Sequence, residues 1–454
     1  MFQRFSDEGL AQTSFLIGCD RTGQAIVVDP RRDIDAYTTL ASQRGLTLTH
    51  AIETHTHADF VSGARELAAG GAVAIVGPGA GTVFQTQEVS HRQELRVGDI
   101  VLTFLHTPGH TPEHISIVVR EPAAPVRVLT GDTLFVGAVG RPDLLGEDQM
   151  RALAGDLFTS LFDILLALDD EVEVHPGHGA GSLCGAGIGK APHSTIGRER
   201  AANPLLQLRE RGAFIAAVLG DLPDTPPYFP RMKKVNRHGP PLLGLANGVT
   251  PPAPLDAEEA AARLDHGAIV LDLRSAEAFG SGHVRGALSL TFGPRVGYWA
   301  GWVVPPDRQV LLVVDDPRDA EEALRQLLRV GFDDVAGYLV GGIDAWRGSG
   351  RDLQRLEVIS ARTLRERVRH EAVTIVDVRT PREYRTGHVD GAVNIAVSEI
   401  AARAGELRGR GPVATICESG LRSSLAASLL QAAGVDALDV SDGTAAYRLL
   451  EAAG

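Results

Sequence analysis

Glu53-Thr54-His55-Thr56-His57-Ala58-Asp59-Phe60 closes an apolar, strand-like run that begins at Thr49. Two imidazoles and a carboxylate crowded just past a strand end form a loop able to hold a metal ion, because side chains on such loops converge at one edge of a sheet. The position after the aspartate is Phe60, which has no lone pair to give. The stretch predicts a metal centre in a layered α/β domain, with one ligand position closed.

Three further loops supply partners. Thr107-Pro108-Gly109-His110-Thr111-Pro112-Glu113-His114 follows a strand and puts His110 on a tight turn. Thr130-Gly131-Asp132-Thr133 and His175-Pro176-Gly177-His178-Gly179 do the same for Asp132 and His178. With Phe60 in place, Asp59 and His178 are not expected to hold a metal of the usual kind. His55, His110 and Asp132 remain. Two imidazoles and one carboxylate cap one face of an ion, leave open positions, and typify non-haem Fe(II) oxygenases. Zinc accepts the same three ligands. His57, with Asp59 and His178, is expected behind the ligands or in a surrounding water network.

Outward from this centre, 15–18 and 25–28 flank an Asp20-Arg21-Thr22-Gly23 turn and read as a hairpin. Helices are expected at 34–44 and 61–69, and strands at 101–104, 115–119, 126–129 and 172–174. A helical tail over 196–219 and a Pro-rich stretch close the region, with Pro251-Pro252-Ala253-Pro254 as a linker. Residues 1–250 thus read as an α/β sandwich with a helical extension.

The second half repeats itself. Ile269-Val270-Leu271-Asp272-Leu273-Arg274 through Gly282-His283-Val284-Arg285-Gly286-Ala287 is matched by Ile375-Val376-Asp377-Val378-Arg379 through Gly387-His388-Val389-Asp390-Gly391-Ala392. Two doubly wound α/β domains are expected, at 255–352 and 358–454. In the second, Cys417-Glu418-Ser419-Gly420-Leu421-Arg422-Ser423 links a buried strand to a helix start. Inward N–H groups and the positive helix end favour thiolate there, and Arg422 can hold the curve and add charge. The first copy has Asp315-Asp316-Pro317-Arg318-Asp319 instead, with no cysteine, so it is expected to be silent.

Composition narrows the classes. At 454 residues and 44% hydrophobic, several cored domains are expected. No run is long enough to cross a bilayer, and no secretory leader is read at the N-terminus. A formal charge of −13 argues against a nucleic-acid groove. Cys19, Cys184 and Cys417 lie far apart, which fits a reducing cytoplasm rather than a disulfide framework. Lysine occurs only at Lys190, Lys233 and Lys234, a bias taken as genomic.

Gly131-Asp132-Thr133-Leu134-Phe135, followed by Gly140-Arg141-Pro142-Asp143-Leu144, resembles the characteristic run of the persulfide dioxygenases of the metallo-β-lactamase superfamily. With the duplicated second half, the whole chain resembles bacterial persulfide dioxygenase–sulfurtransferase fusions. The resemblance implies a metallo-β-lactamase αββα sandwich followed by two rhodanese-like doubly wound α/β domains, the first inactive. Dinuclear hydrolases of that fold carry a histidine where Phe60 stands, so the reading moves from two zinc ions toward one Fe(II) per chain. His55, His110 and Asp132 would hold it. From their own positions, Arg141 and Asp143 read as a rim pair shaping the substrate pocket or as a surface pair, and Cys184 as a thiol near its entrance or as a small residue in a Gly-rich turn. Cys417 would accept sulfur, with Ser419, Gly420, Leu421 and Ser423 cradling the anion. Glu418 departs from the basic residue often seen there, and a carboxylate would repel a dianionic donor. The implied partners are a low-molecular-weight thiol persulfide, O2 and sulfite, in a homodimer or homotetramer. A zinc-dependent thioester or lactam hydrolase, and a sulfur carrier with a structural metal, are the alternative functions.

Overall fold

The computed structural model describes residues 1–220 and 222–452, so the last two residues of the expected third domain lie outside the described residues. The chain divides into two compact units, one of 1–249 with 328–331 and the other of 250–327 with 332–454.

The first unit holds two six-stranded sheets. One runs in chain order from Phe2–Asp7 through Gln12–Cys19, Gln24–Val28, Thr47–Ile52 and Val73–Val76 to Gln87–Glu88. The other runs Ser194–Thr195, Glu173–Pro176, Arg127–Gly131, Ile115–Arg120, Ile100–His106, Glu94–Val97. Alternate residues of each meet in the middle: Phe15, Ile26, Val28 and Ile52 pack against Leu102, Phe104, Ile117 and Leu129. The outer faces are covered too. Leu16, Val27 and Ala51 bury Tyr37 and Ala41 of the helix Asp35–Gln43, and Val118, Val128 and Val174 bury Ala154 and Leu157 of the helix Glu147–Thr159. Cover on both faces is why Gln12–Cys19 is buried along its whole length. Each aliphatic side chain so buried contributes about 1.5–3 kcal/mol. This is the expected αββα sandwich.

Some element limits differ from expectation for local reasons. The helix expected from residue 61 starts at Ala64, because Ser62 instead bridges to Arg31. The tail expected as one helix is broken into Ile196–Ala202 and Arg211–Gly220, since Pro204 has no N–H to continue the first. Among the described residues, no helix is long and apolar enough to cross a membrane.

The second unit contains two five-stranded, all-parallel sheets of identical topology. One is ordered Pro254–Leu255, Val335–Leu339, Val310–Val313, Ile269–Asp272, Leu288–Ser289; the other Glu357–Ile359, Ala437–Val440, Val413–Ile416, Thr374–Asp377, Val393–Asn394. Pro254, expected in the linker, opens the edge strand of the first sheet, a place that needs no donor from it. The copies bond to each other: the Ser289 and Ser424 hydroxyls lie 2.6 Å apart, and Ser428 Oγ accepts the Ser289 N–H at 3.0 Å.

Candidate metal centre and sulfur-transfer loop

Loops at the carboxyl ends of four strands, drawn from both sheets of the sandwich, converge. Thr47–Ile52 leads to His55, Ile100–His106 to His110, Arg127–Gly131 to Asp132, and Glu173–Pro176 to His178. Close backbone approach makes this possible. Gly131 has φ +47°, and a Cβ there would lie 2.6 Å from His114 Nε2 and 2.7 Å from Thr54 Oγ1.

His55, His110 and Asp132 meet, all buried. Asp132 Oδ2 lies 3.7 Å from His55 Nε2 and 3.4 Å from His110 Nε2. None of these three buried atoms has a hydrogen-bond partner, so each keeps a lone pair aimed at the same point. The far side of each ring explains why. His110 Nδ1–H donates to the Arg141 carbonyl at 2.8 Å, and His55 Nδ1–H to Thr54 Oγ1 at 2.9 Å. Thr54 Oγ1 in turn donates to Asp29 Oδ2. Burial, then neighbouring imidazoles, holds His55 well below the ordinary histidine range; burial also lowers His110. Neutral imidazoles and an ionised carboxylate with orphaned donors fit a divalent metal.

Asp59, His178 and Cys184 form a second cluster, although Asp59 and His178 alone were not expected to hold a metal. Both ring nitrogens of His178 are engaged, Nδ1 with Asp132 Oδ1 and Nε2 with Asp59 Oδ2, each at 2.7 Å. Burial works against its charge, but Asp132 and Asp59 push its pKa up to about 10. His178 thus bridges the two carboxylates through both ring nitrogens. Cys184, read as an entrance thiol or as a small residue of a Gly-rich turn, is buried. Burial, then Asp59 and Asp132, keeps it a thiol by raising its pKa well above the usual range.

His57 turns away from the triad. Its Nε2 lies 3.1 Å from both Asp29 Oδ1 and Glu53 Oε2, while Phe60 packs on its ring with centroids 4.3 Å apart. Burial opposes its charge, yet the two carboxylates hold its pKa well above normal. Arg141 and Asp143 form a bidentate pair at 2.7 Å, but Arg141 is a buried strut rather than a rim residue, also donating to Leu183 O and Thr225 Oγ1.

Sequence reasoning missed two groups. His114 Nε2 accepts the Asp132 N–H at 2.9 Å and its ring stacks on His55; burial lowers its pKa to about 3, which keeps that acceptor available. Asn236, on the helix Phe229–His238, clamps the ligand loop. Its Nδ2 donates to the carbonyls of His57 (2.9 Å) and Phe60 (2.7 Å), and its Oδ1 accepts the Ser62 N–H. The only sequence signal for His114 was its place on the His110 loop; Asn236 had none.

In the second unit, Cys417 follows the strand Val413–Ile416, and its Sγ accepts the Gly420 N–H at 3.2 Å. Gly420 has φ +95°, and a Cβ there would strike Ser441 O at 2.0 Å. Ser423 Oγ is 3.7 Å from the sulfur, and the helix Leu421–Ala432 starts at the loop's end. Ser419 and Leu421 complete the turn. Arg422 does not stand as a bare charge: it grips Glu383 through two 2.7 Å bonds. Burial would raise Glu383, but Arg422 holds it down at about 2. Glu418 is likewise occupied, by Arg379 and Thr444 at 2.9 Å each, which weakens its expected repulsion of anions. In the first copy the strand Val310–Val313 leads to exposed Asp315 and to Asp316, which is paired with Arg318.

Residues 7–178 match the metallo-beta-lactamase superfamily, and 256–349 and 360–449 each match the rhodanese-like domain. The structure is similar to a metallo-beta-lactamase from Staphylococcus aureus subsp. aureus COL, 35% identical, over 75% of this chain and 98% of that one, at a TM-score of 0.66. ETHE1 from Myxococcus xanthus is 30% identical over 52% of this chain and 98% of its own, at a TM-score of 0.46. A hydroxyacylglutathione hydrolase of Polaromonas sp. JS666 is 33% identical over 171 residues, 36% of this chain and 61% of that protein.

Proposed function

Since this chain belongs to the metallo-beta-lactamase superfamily and carries two rhodanese-like domains, we propose that it couples two reactions. The first domain is a non-haem Fe(II) dioxygenase acting on the persulfide of a low-molecular-weight thiol. The last is a sulfurtransferase working at Cys417. The observation that carries this reading is the meeting of three buried, partnerless donor atoms on His55, His110 and Asp132, with Phe60 packed on His57 and offering no ligand of its own.

When bound there, iron supplies the redox chemistry that brings dioxygen to the terminal sulfur of the persulfide. In balance, one persulfide, one O2 and one water give one thiol and one sulfurous acid; the sulfane sulfur is oxidised and dioxygen reduced. The chain's own residues prepare the site. Thr54 and the Arg141 carbonyl hold both imidazoles in the tautomer whose Nε2 is free, and His178 turns Asp132 so that Oδ2 faces them. Burial of all three ligands keeps bulk water from their donor atoms.

At Cys417 the thiolate attacks the sulfane sulfur of a second persulfide, forming an enzyme persulfide and releasing the thiol. Sulfite then attacks the outer sulfur, giving thiosulfate and restoring the thiolate. The Gly420 N–H at the sulfur supports its negative charge. One chain carrying both steps raises the local concentration of the sulfite that passes between them.

The likeness to hydroxyacylglutathione hydrolase favours a second reading, a metal-dependent thioester hydrolase on the same domain. Metal analysis of anaerobically purified protein, with an oxygen electrode and a thioester assay, separates the two. One iron per chain with oxygen uptake on glutathione persulfide is expected. Two zinc ions per chain with hydrolysis of an acyl-glutathione would overturn the proposal.

A further inference from the structure

The helix Phe229–His238 has two unlike faces. Phe229, Met232 and Asn236 are buried, and Asn236 ties the helix to the metal loop. The other face carries Lys233, Lys234, Arg237 and His238 at spacings of three and four residues, so their side chains rise on one side. They line a cleft of about 550 Å³. Leu144, Leu145 and Pro112 are among its apolar lining, and Thr56 and Glu113 among its polar lining.

Thr56 lies between His55 and His57 in the chain, its N–H donates to Glu113 Oε1 at 2.9 Å, and a small cavity of about 20 Å³ lined by His55 shares Thr56, Ala80 and Glu113 with the cleft. The Lys233 Nζ is buried and, among the described residues, has no hydrogen-bond partner. Burial lowers Lys233, while Glu113, which also lines the cleft, works the other way; a buried amino group without an acceptor is costly unless a ligand supplies one. The chain is strongly acidic and has three lysines; two stand side by side here, a position that a genomic preference for arginine does not explain.

We propose that this cleft binds the anionic end of the thiol carrier, with Lys233 and Lys234 receiving its phosphate or carboxylate oxygens while the sulfur end lies toward Thr56, the neighbour of His55 in the chain. This rests on the reading of the first domain as acting on carrier-bound sulfur, whether by oxidation or by hydrolysis. The apolar lining would take the carrier's uncharged middle, and Arg237 and His238 at the mouth would add attraction that salt screens.

Calorimetric binding of two inert probes, S-methyl glutathione and S-methyl coenzyme A, to the full wild-type chain and to Lys233→Met, Lys234→Gln and the double variant tests it. At least one probe should bind wild type, and the double variant should bind it roughly ten- to a hundredfold more weakly, as expected for lost charged hydrogen bonds. Added salt should weaken the wild type more than the double variant. Loss confined to S-methyl coenzyme A assigns the site to phosphate, and loss confined to S-methyl glutathione assigns it to carboxylate; either supports the proposal. Equal affinity of wild type and folded variants, or no binding of either probe to wild type, overturns it. Oxygen uptake on 2-hydroxyethyl persulfide, whose carrier is uncharged, reports separately on the dioxygenase. Wild type that binds a probe but consumes no oxygen on any persulfide would sink that reading and leave this one standing.

Discussion

His178 Nδ1–H donates to Oδ1 of Asp132 across 2.7 Å, which leaves Oδ2 as the oxygen facing His55 and His110. The other nitrogen of the same ring pairs with Asp59 at 2.7 Å, so His178 ties the ligand carboxylate to a second one. Removing that support should cost metal affinity without removing a ligand. His178→Gln is expected to bind iron about 10- to 100-fold more weakly. Competition with a chelator of known affinity measures this, and unchanged affinity would show that His178 does not orient Asp132.

Cys417→Ser should still consume oxygen with a persulfide substrate but release sulfite in place of thiosulfate. A hydroxyl cannot carry sulfane sulfur, and the metal ligands belong to the other unit. Quantifying both anions after a fixed oxygen uptake reads it directly. Undiminished thiosulfate would remove Cys417 from the carrier role.

The first rhodanese-like copy should be catalytically silent. Asp315 is exposed and Asp316 pairs with Arg318, where the other copy has a cysteine loop. Replacing Asp315 and Asp316 together by Asn should leave oxygen uptake and thiosulfate formation nearly unchanged, as expected for surface substitutions. A large loss in folded protein would bring this copy into the chemistry.

Asp439, in the strand Ala437–Val440, is buried, and neither carboxylate oxygen has a hydrogen-bond partner among the described residues. Burial pushes its pKa up to about 7 from an ordinary 3.8. Between those values the unfolded chain has lost this proton while the folded chain keeps it. The group's contribution to stability must therefore decline as pH rises through that window and stay low above it. Asp439→Asn should match the parent near pH 4 and exceed it at pH 8 by roughly 1–4 kcal/mol. Urea unfolding across pH tests this; an unchanged slope in the variant would mean another group sets it.

Some of this architecture was legible in the residues alone, because its causes are local. Apolar alternation marked the strands, and histidines and aspartates clustered just past strand ends marked the loops that carry His55, His110 and Asp132. The duplicated Asp-x-Arg and Gly-His-Val spacing marked the paired modules, and the Cys417 loop stood out by its glycine and its helix start. Other features depended on which distant segments the sheets bring together. His178 reaches Asp132 across 46 residues and Asp59 across 119, and Asn236 reaches the ligand loop across more than 170. The burial of Cys184, the turn of His57 toward Asp29, and the cleft face of Lys233 also belong to this class. Backbone periodicity and turn chemistry act over a few residues and can be read along the chain. Strand order and layer packing set distances between remote side chains, so the charge states and orientations that tune the site were decided by the tertiary structure.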